Sequence, residues 1–133
     1  MVFPITGLFA ALFAIALVGL GVFVGLYRVK QQIPFLDGGD VVLTQRMRAH
    51  GNFIEYVPIA LIAMALVEAN GAPVTLLYGL GGVLLVGRLL HAATLLSGNP
   101  WGAGRALGMV GTTGPLVVAS LWLIWAFAIE AWA

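Results

Sequence analysis

The sequence predicts an all-α integral membrane protein, a four-helix bundle, and two observations predict it: the composition and the spacing of the apolar runs. Of 133 residues, 62% are hydrophobic and only 8% charged, against roughly a quarter charged in an ordinary soluble domain. Such a chain cannot clothe itself in a water-compatible surface. The apolar residues fall into four runs, Ile5 to Tyr27, Phe53 to Val67, Val74 to Leu96 and Leu107 to Ala131, and a helix crosses the hydrocarbon core with about 20 residues. The expectation is a single transmembrane domain over 1–133, with helices at about 5–29, 43–69, 74–97 and 105–131.

The first run has no Lys or Arg before it. A secretory signal peptide would begin with a basic stretch and stop short of a full span, so this run reads as a retained helix. Gln31 to Asp40, with Pro34 and Gly38-Gly39, then carries the residues that end a helix and turn the chain. The second run is too short to span unless its helix starts near Leu43 and carries polar residues into the membrane. Asp37 and Asp40 precede that start and suit its cap or its dipole. Gly71-Ala72-Pro73 makes a tight turn, so the second and third helices should form an antiparallel hairpin. Ser97 to Gly104, with Asn99-Pro100, leads into the fourth helix. Gly21 with Gly25, and Gly104 with Gly108, stand four apart, a spacing that lets helices approach closely in lipid.

Positive charge sets the expected orientation. Arg28, Lys30, Arg46 and Arg48 flank the first connection and Arg105 sits in the third. The loops 30–43 and 97–105 should therefore be cytoplasmic, with both termini on the other side. Phe3, Trp122, Trp125 and Trp132 suit an aromatic belt at that far interface, and Glu68 and Glu130 read as helix-end polar residues there. Six basic against five acidic residues leave a net charge of +1, no field to draw nucleic acid. There is no cysteine, so any thiol chemistry needs a thiol from outside. His50 and His91 have no second ligand at three- or four-residue spacing, and no metal site is expected.

Chemistry concentrates at the start of the second helix. Arg48, Asn52 and Glu55 follow one another at spacings of four and three, which sets them on one helix face, a turn apart. From a start near Leu43, Glu55 lies on the order of 18 Å along the helix; Arg88, with His91 on the third helix, lies on the order of 14 Å from the same membrane face. An ionised group at such depth costs at least a few kcal/mol unless paired or hydrated. Glu55 and Arg88 are therefore expected to approach one another, within a bundle or between subunits. The crowding of Arg28, Arg48, Asn52, His91 and Arg105 at the same end suggests a polar pocket for an anionic ligand. A pair that only fixes helix register would need less company.

The segment Arg48-Ala49-His50-Gly51-Asn52-Phe53-Ile54-Glu55-Tyr56, with Gly87-Arg88-Leu89-Leu90-His91, resembles the MAPEG family, the membrane-associated proteins in eicosanoid and glutathione metabolism. The likeness covers almost the whole chain in length, number of spans and turn pattern. It implies a homotrimer of four-helix subunits, with glutathione as co-substrate held between neighbouring subunits and a lipophilic electrophile or lipid hydroperoxide arriving through the bilayer. Carried over by position, Arg28, Arg48, Asn52, Glu55, Tyr56 and His91 would contact glutathione, with Arg88 beside them, and Arg105 would stabilise the thiolate. The chain departs from some relatives at Leu95, where several have Tyr, and at Ala106, which lacks a hydroxyl proposed as a thiol partner in one branch. It looks like the smaller bacterial-type members. The rival expectation is a non-catalytic membrane protein whose ionisable cluster is structural or binds or conducts a small anion.

Overall fold

The computed structural model describes residues 2–99 and 101–132, with side chains as far as 129. Glu130 and the Trp132 ring, both expected at the far interface, lie outside the described residues. The chain folds into α1 (Pro4–Gln31), α2 (Val41–Ala69), α3 (Val74–Leu96) and α4 (Ala103–Trp132). Each helix is long and apolar enough to cross a membrane, and a helix satisfies its backbone internally, as hydrocarbon requires. The four run alternately up and down. The connections 32–40 and 97–102 share one end of the bundle, and the 70–73 turn lies at the other. Among the described residues α1 packs on α2 and α3, α4 packs on α3 and α2, and α1 does not meet α4. The second and third helices are thus the shared centre.

The start of α2 decides where the polar residues go. Asp40 accepts the Leu43 amide at 2.8 Å and caps the helix, so that α2 begins at Val41 and holds Arg48, Asn52 and Glu55 inside its regular part. The Tyr27 hydroxyl donates to the same Asp40 carboxylate at 3.1 Å, tying the end of α1 to the start of α2. Asp37 shapes the connection itself, accepting the Gly39 amide and the Thr44 hydroxyl, each at 3.0 Å. Those two donors hold its carboxyl below the ordinary value. Arg46 lies over the Phe23 and Tyr27 rings, 3.8 and 4.2 Å from their centres, a second clasp between the same helices.

Towards the 70–73 turn the bundle closes on aromatic side chains. The Phe13 and Phe53 rings meet edge-on with centres 5.9 Å apart, and the Phe9 ring occupies the space a Cβ at Gly81 would need. Trp122 and Trp125 lie together late in α4, their ring centres 6.1 Å apart.

The α3–α4 crossing is built from glycine. A Cβ at Gly87 would stand 2.7 Å from the Gly111 carbonyl carbon, and one at Gly108 would stand 2.6 Å from the His91 Cβ. Gly104 is closed off in the same way by the Thr94 hydroxyl. The expected Gly104–Gly108 pair therefore lies at a true close approach, with Gly87 and Gly111 as partners that their spacing did not announce. Gly21 and Gly25 do not: a Cβ at Gly21 would make ordinary contact with His50 at 3.8 Å, and Gly25 faces open space.

Glu68 stands at the end of α2, as expected, and does more there. Its carboxylate reaches the start of α1, accepting the Ile5 amide at 2.9 Å and the Thr6 amide at 2.8 Å. The residue at the N-cap of α1 is Phe3, which has no capping side chain, so a neighbouring helix supplies the anion that the free amides and the helix dipole call for. Glu68→Ala should lower stability by about 1–2 kcal/mol, measured as thermal unfolding in detergent. Glu68→Gln should recover part of the loss, because an amide oxygen still accepts.

Candidate functional site

The stripe on α2 opens onto a polar cavity of about 490 Å³, lined by Thr44, Gln45, Arg48, Asn52 and Glu55 from α2, Leu95 from α3 and Arg105 from α4. The local reason is the helical period. Thr44, Arg48, Asn52 and Glu55 recur every three or four residues and so share one face, while the short 97–102 connection brings the first turn of α4 to the same end. The Asn52 amide donates to the Arg48 carbonyl at 3.0 Å, which fixes its side chain along the stripe. Two guanidinium groups, one carboxylate and three neutral polar side chains thus surround one space. Chemically this suits a ligand that is anionic overall and carries one cationic group.

Of the residues expected at the site, Arg48, Asn52, Glu55 and Arg105 come together here. Thr44 and Gln45 join them. Thr44 could have been found by extending the stripe back one turn, since it stands four residues before Arg48.

Within a single subunit Arg88 does not form the expected pair with Glu55. Among the described residues no ion pair joins it to Glu55, which is exposed while Arg88 is wholly buried, at 0% exposure. Its guanidinium turns into the α3–α4 interface: Nη1 donates to the Thr112 hydroxyl oxygen at 3.2 Å, and Nη2 lies 3.2 Å from His91 Nδ1. Its Nε has no protein partner. The reason is geometric. A face shared by Arg48, Asn52 and Glu55 looks outward from α2, whereas Arg88 lies on the part of α3 that the glycine crossing presses against α4, and Thr112 meets it there. A threonine in an apolar run, here the first of the pair Thr112-Thr113, gives no sign in the sequence that it faces a buried cation.

The remaining residues take separate places. Tyr56 is half-buried next to the site, its ring centre 5.9 Å from the Arg88 guanidinium carbon. His91 is buried one turn before Leu95. Arg28 is not brought to the cavity within one chain. It folds back on the first connection, donating to the Ile33 carbonyl at 3.3 Å and to Met47 Sδ at 3.2 Å, and borders a separate hollow with Gln32, Ile33 and Pro34. His50 lies against α1 at Gly21, off the stripe.

Comparison with known proteins follows from the same residues. The model of the MAPEG family matches residues 6–125. Inner membrane protein YecN of Escherichia coli strain K12 is 38% identical over 87 residues, 65% of this chain and 66% of that protein, and the same-named protein of Escherichia coli O6:H1 strain CFT073 matches equally. The chain thus spans about 66% of the length of these curated relatives. Their name states a membrane location and no activity.

The arrangement around Arg88 gives a stability prediction. Thr112→Val keeps the volume but removes the oxygen that accepts from Nη1, leaving a second buried donor of Arg88 without a partner. Stability should fall by about 1–3 kcal/mol, read by thermal unfolding in detergent. An unchanged midpoint would mean that Thr112 does not hold the guanidinium.

Proposed function

The chain belongs to the MAPEG family, and on that premise we propose that it is a membrane-bound glutathione-dependent transferase or peroxidase acting on lipophilic electrophiles or lipid hydroperoxides. One observation carries the reading: the polar cavity that gathers Arg48, Asn52, Glu55 and Arg105 from two helices. Glutathione has two carboxylates, one ammonium and a thiol, and each finds a counterpart. Arg48 and Arg28 take the carboxylates, Glu55 takes the ammonium or holds an arginine, and Tyr56 and His91 complete the contacts with Arg88 behind them. Arg105 lies beside the sulfur. A free thiol titrates near 8.5, and each unit of depression needs about 1.4 kcal/mol of preference for the anion. One partly desolvated charge-assisted hydrogen bond from Arg105 is enough for that. The thiolate then forms a C–S bond at an electrophilic carbon, displacing its leaving group or adding to an activated double bond with uptake of a proton. With a hydroperoxide it cleaves the O–O bond, giving the alcohol and a sulfenic acid that a second thiol converts to disulfide and water.

Assembly belongs to the same reading. Arg48 and Glu55 are exposed on the outside of a single bundle, within a helix that spans the membrane, where uncovered charge is costly. A homotrimer covers this face and brings a neighbouring subunit against it, which also resolves why Arg28 stands apart from the cavity in one chain. We place the protein in an inner membrane, the location stated by the name of YecN. Both termini lie on the non-cytoplasmic side and the basic connections in the cytoplasm, by the distribution of Arg and Lys.

A second reading has one observation in its favour. Arg88, the most buried cation, bonds Thr112 and His91 and not the cavity wall, as a non-catalytic bundle whose ionisable groups serve packing would require, or one that only holds or conducts a small anion. Ligand binding separates the two. Glutathione at a hundred times its dissociation constant should raise stability in detergent by about 2.7 kcal/mol, and Arg48→Ala should weaken that binding roughly ten- to a hundredfold. No shift with glutathione or an S-alkyl analogue favours the second reading. Arg105→Ala should lower the thiolate absorbance of the bound complex while keeping most of the affinity; undiminished absorbance would remove Arg105 from the catalytic role.

A further inference from the structure

In the α3–α4 interior the positions of the protons follow one from another. The Thr112 hydroxyl donates to the Gly108 carbonyl at 2.7 Å, which leaves its oxygen free to accept from Arg88 Nη1 at 3.2 Å. A guanidinium has donors only and keeps its charge. Arg88 Nη2 stands 3.2 Å from His91 Nδ1, so Nδ1 has to be the acceptor. In a neutral imidazole the proton then sits on Nε2. The other tautomer would set N–H against N–H, and an imidazolium would offer no acceptor at all. Neither is tolerable where Arg88 is 0% and His91 1% exposed and water cannot intervene.

We infer that Arg88 is a positioning residue acting through His91: it locks the imidazole in the Nε2–H tautomer, so that the inner end of the polar cavity presents a fixed hydrogen-bond donor to an acceptor atom of the ligand. This rests on the reading of that cavity as a ligand site. His91 stands one turn before Leu95, which lines the cavity, and on the same face of α3. Helical side chains lean towards the N-terminus of their helix, which sets the imidazole a turn deeper in the bundle than Leu95, behind the inner wall of the cavity. Among the described residues its Nε2 has no hydrogen-bond partner, whereas Nδ1 is taken. Its root lies against Gly108, where a Cβ would come within 2.6 Å of the His91 Cβ, and the Arg88 hydrogen bond sets the ring's direction. The donor therefore selects a carboxylate, a peptide carbonyl or a sulfur anion over an ammonium. Arg88 supplies direction and tautomer and does not itself touch the ligand.

The test is the nitrogen-15 spectrum of the two histidines in the full-length protein in detergent at neutral pH, with no thiol added, assigned with His50→Gln. The outcome is thus independent of whether glutathione is the ligand. Wild-type protein should show a protonated Nε2 and a bare Nδ1 at His91. Arg88→Lys, which also offers only donors, should keep that pattern. Arg88→Gln, whose amide oxygen can accept, should admit the Nδ1–H form and give averaged nitrogen shifts. An Nδ1–H tautomer or an imidazolium at His91 in the wild type overturns the inference, and that spectrum decides even if Arg88→Gln fails to fold. A folded Arg88→Gln protein with an unchanged tautomer overturns it as well.

Discussion

In hydrocarbon a polar group has no water to fall back on, and most of this fold can be understood from the need to satisfy a single guanidinium there. Arg88 lies in the interior of the bundle, where an unpaired cation would be strongly destabilising. It is held because α3 and α4 come close enough for Thr112 to reach it, while His91 stands beside it one turn along α3 itself. That closeness depends on glycine at 87, 104, 108 and 111, positions where a Cβ would collide with the facing helix or its side chains. The small residues and the buried cation are two halves of one device. Dispersion between backbones brings the helices together, and the hydrogen bonds fix their register.

The same requirement explains the ends of the helices. Phe3 cannot cap α1, and Glu68 does so from α2, joining the first and second helices at one face of the membrane. At the opposite face Asp40 caps α2 and accepts from Tyr27. These two carboxylates close the α1–α2 pair at both ends. Neither is then available as a ligand group, which leaves Glu55 as the carboxylate on the cavity wall.

The charge that is not satisfied inside the bundle is gathered on one stripe of its surface. Arg48 and Glu55 need a cover, and the proposed glutathione site and the proposed trimer both supply one. Function and assembly are in this reading one problem, since the side chains that would bind the tripeptide are those a lone subunit cannot leave facing lipid. The division of labour is then between a dry pair that sets geometry, Arg88 with Thr112, and a wet stripe that meets the ligand, Arg48, Asn52, Glu55 and Arg105, with His91 as the link between them.

What the sequence by itself determined is whatever depends on local period and composition. Four apolar runs dictate four helices, because a backbone in lipid has few other ways to satisfy itself. The early start of α2, capped by Asp40, follows from a run too short to span alone, and the 3.6-residue period puts Arg48, Asn52 and Glu55 on one face whatever surrounds them. Gly104 and Gly108 were legible by their spacing, and Arg105 by its place at the same end. Only the tertiary structure decided which charges meet. Glu55 and Arg88 have compatible depths, but depth is one coordinate, and the rotation of α3 about its axis turns Arg88 towards α4. The partners found in the fold, Thr112 for Arg88 and Glu68 for the amides of α1, lie 24 and more than 60 residues away along the chain. No local pattern encodes such pairings, because they are set by which faces two helices present once packed.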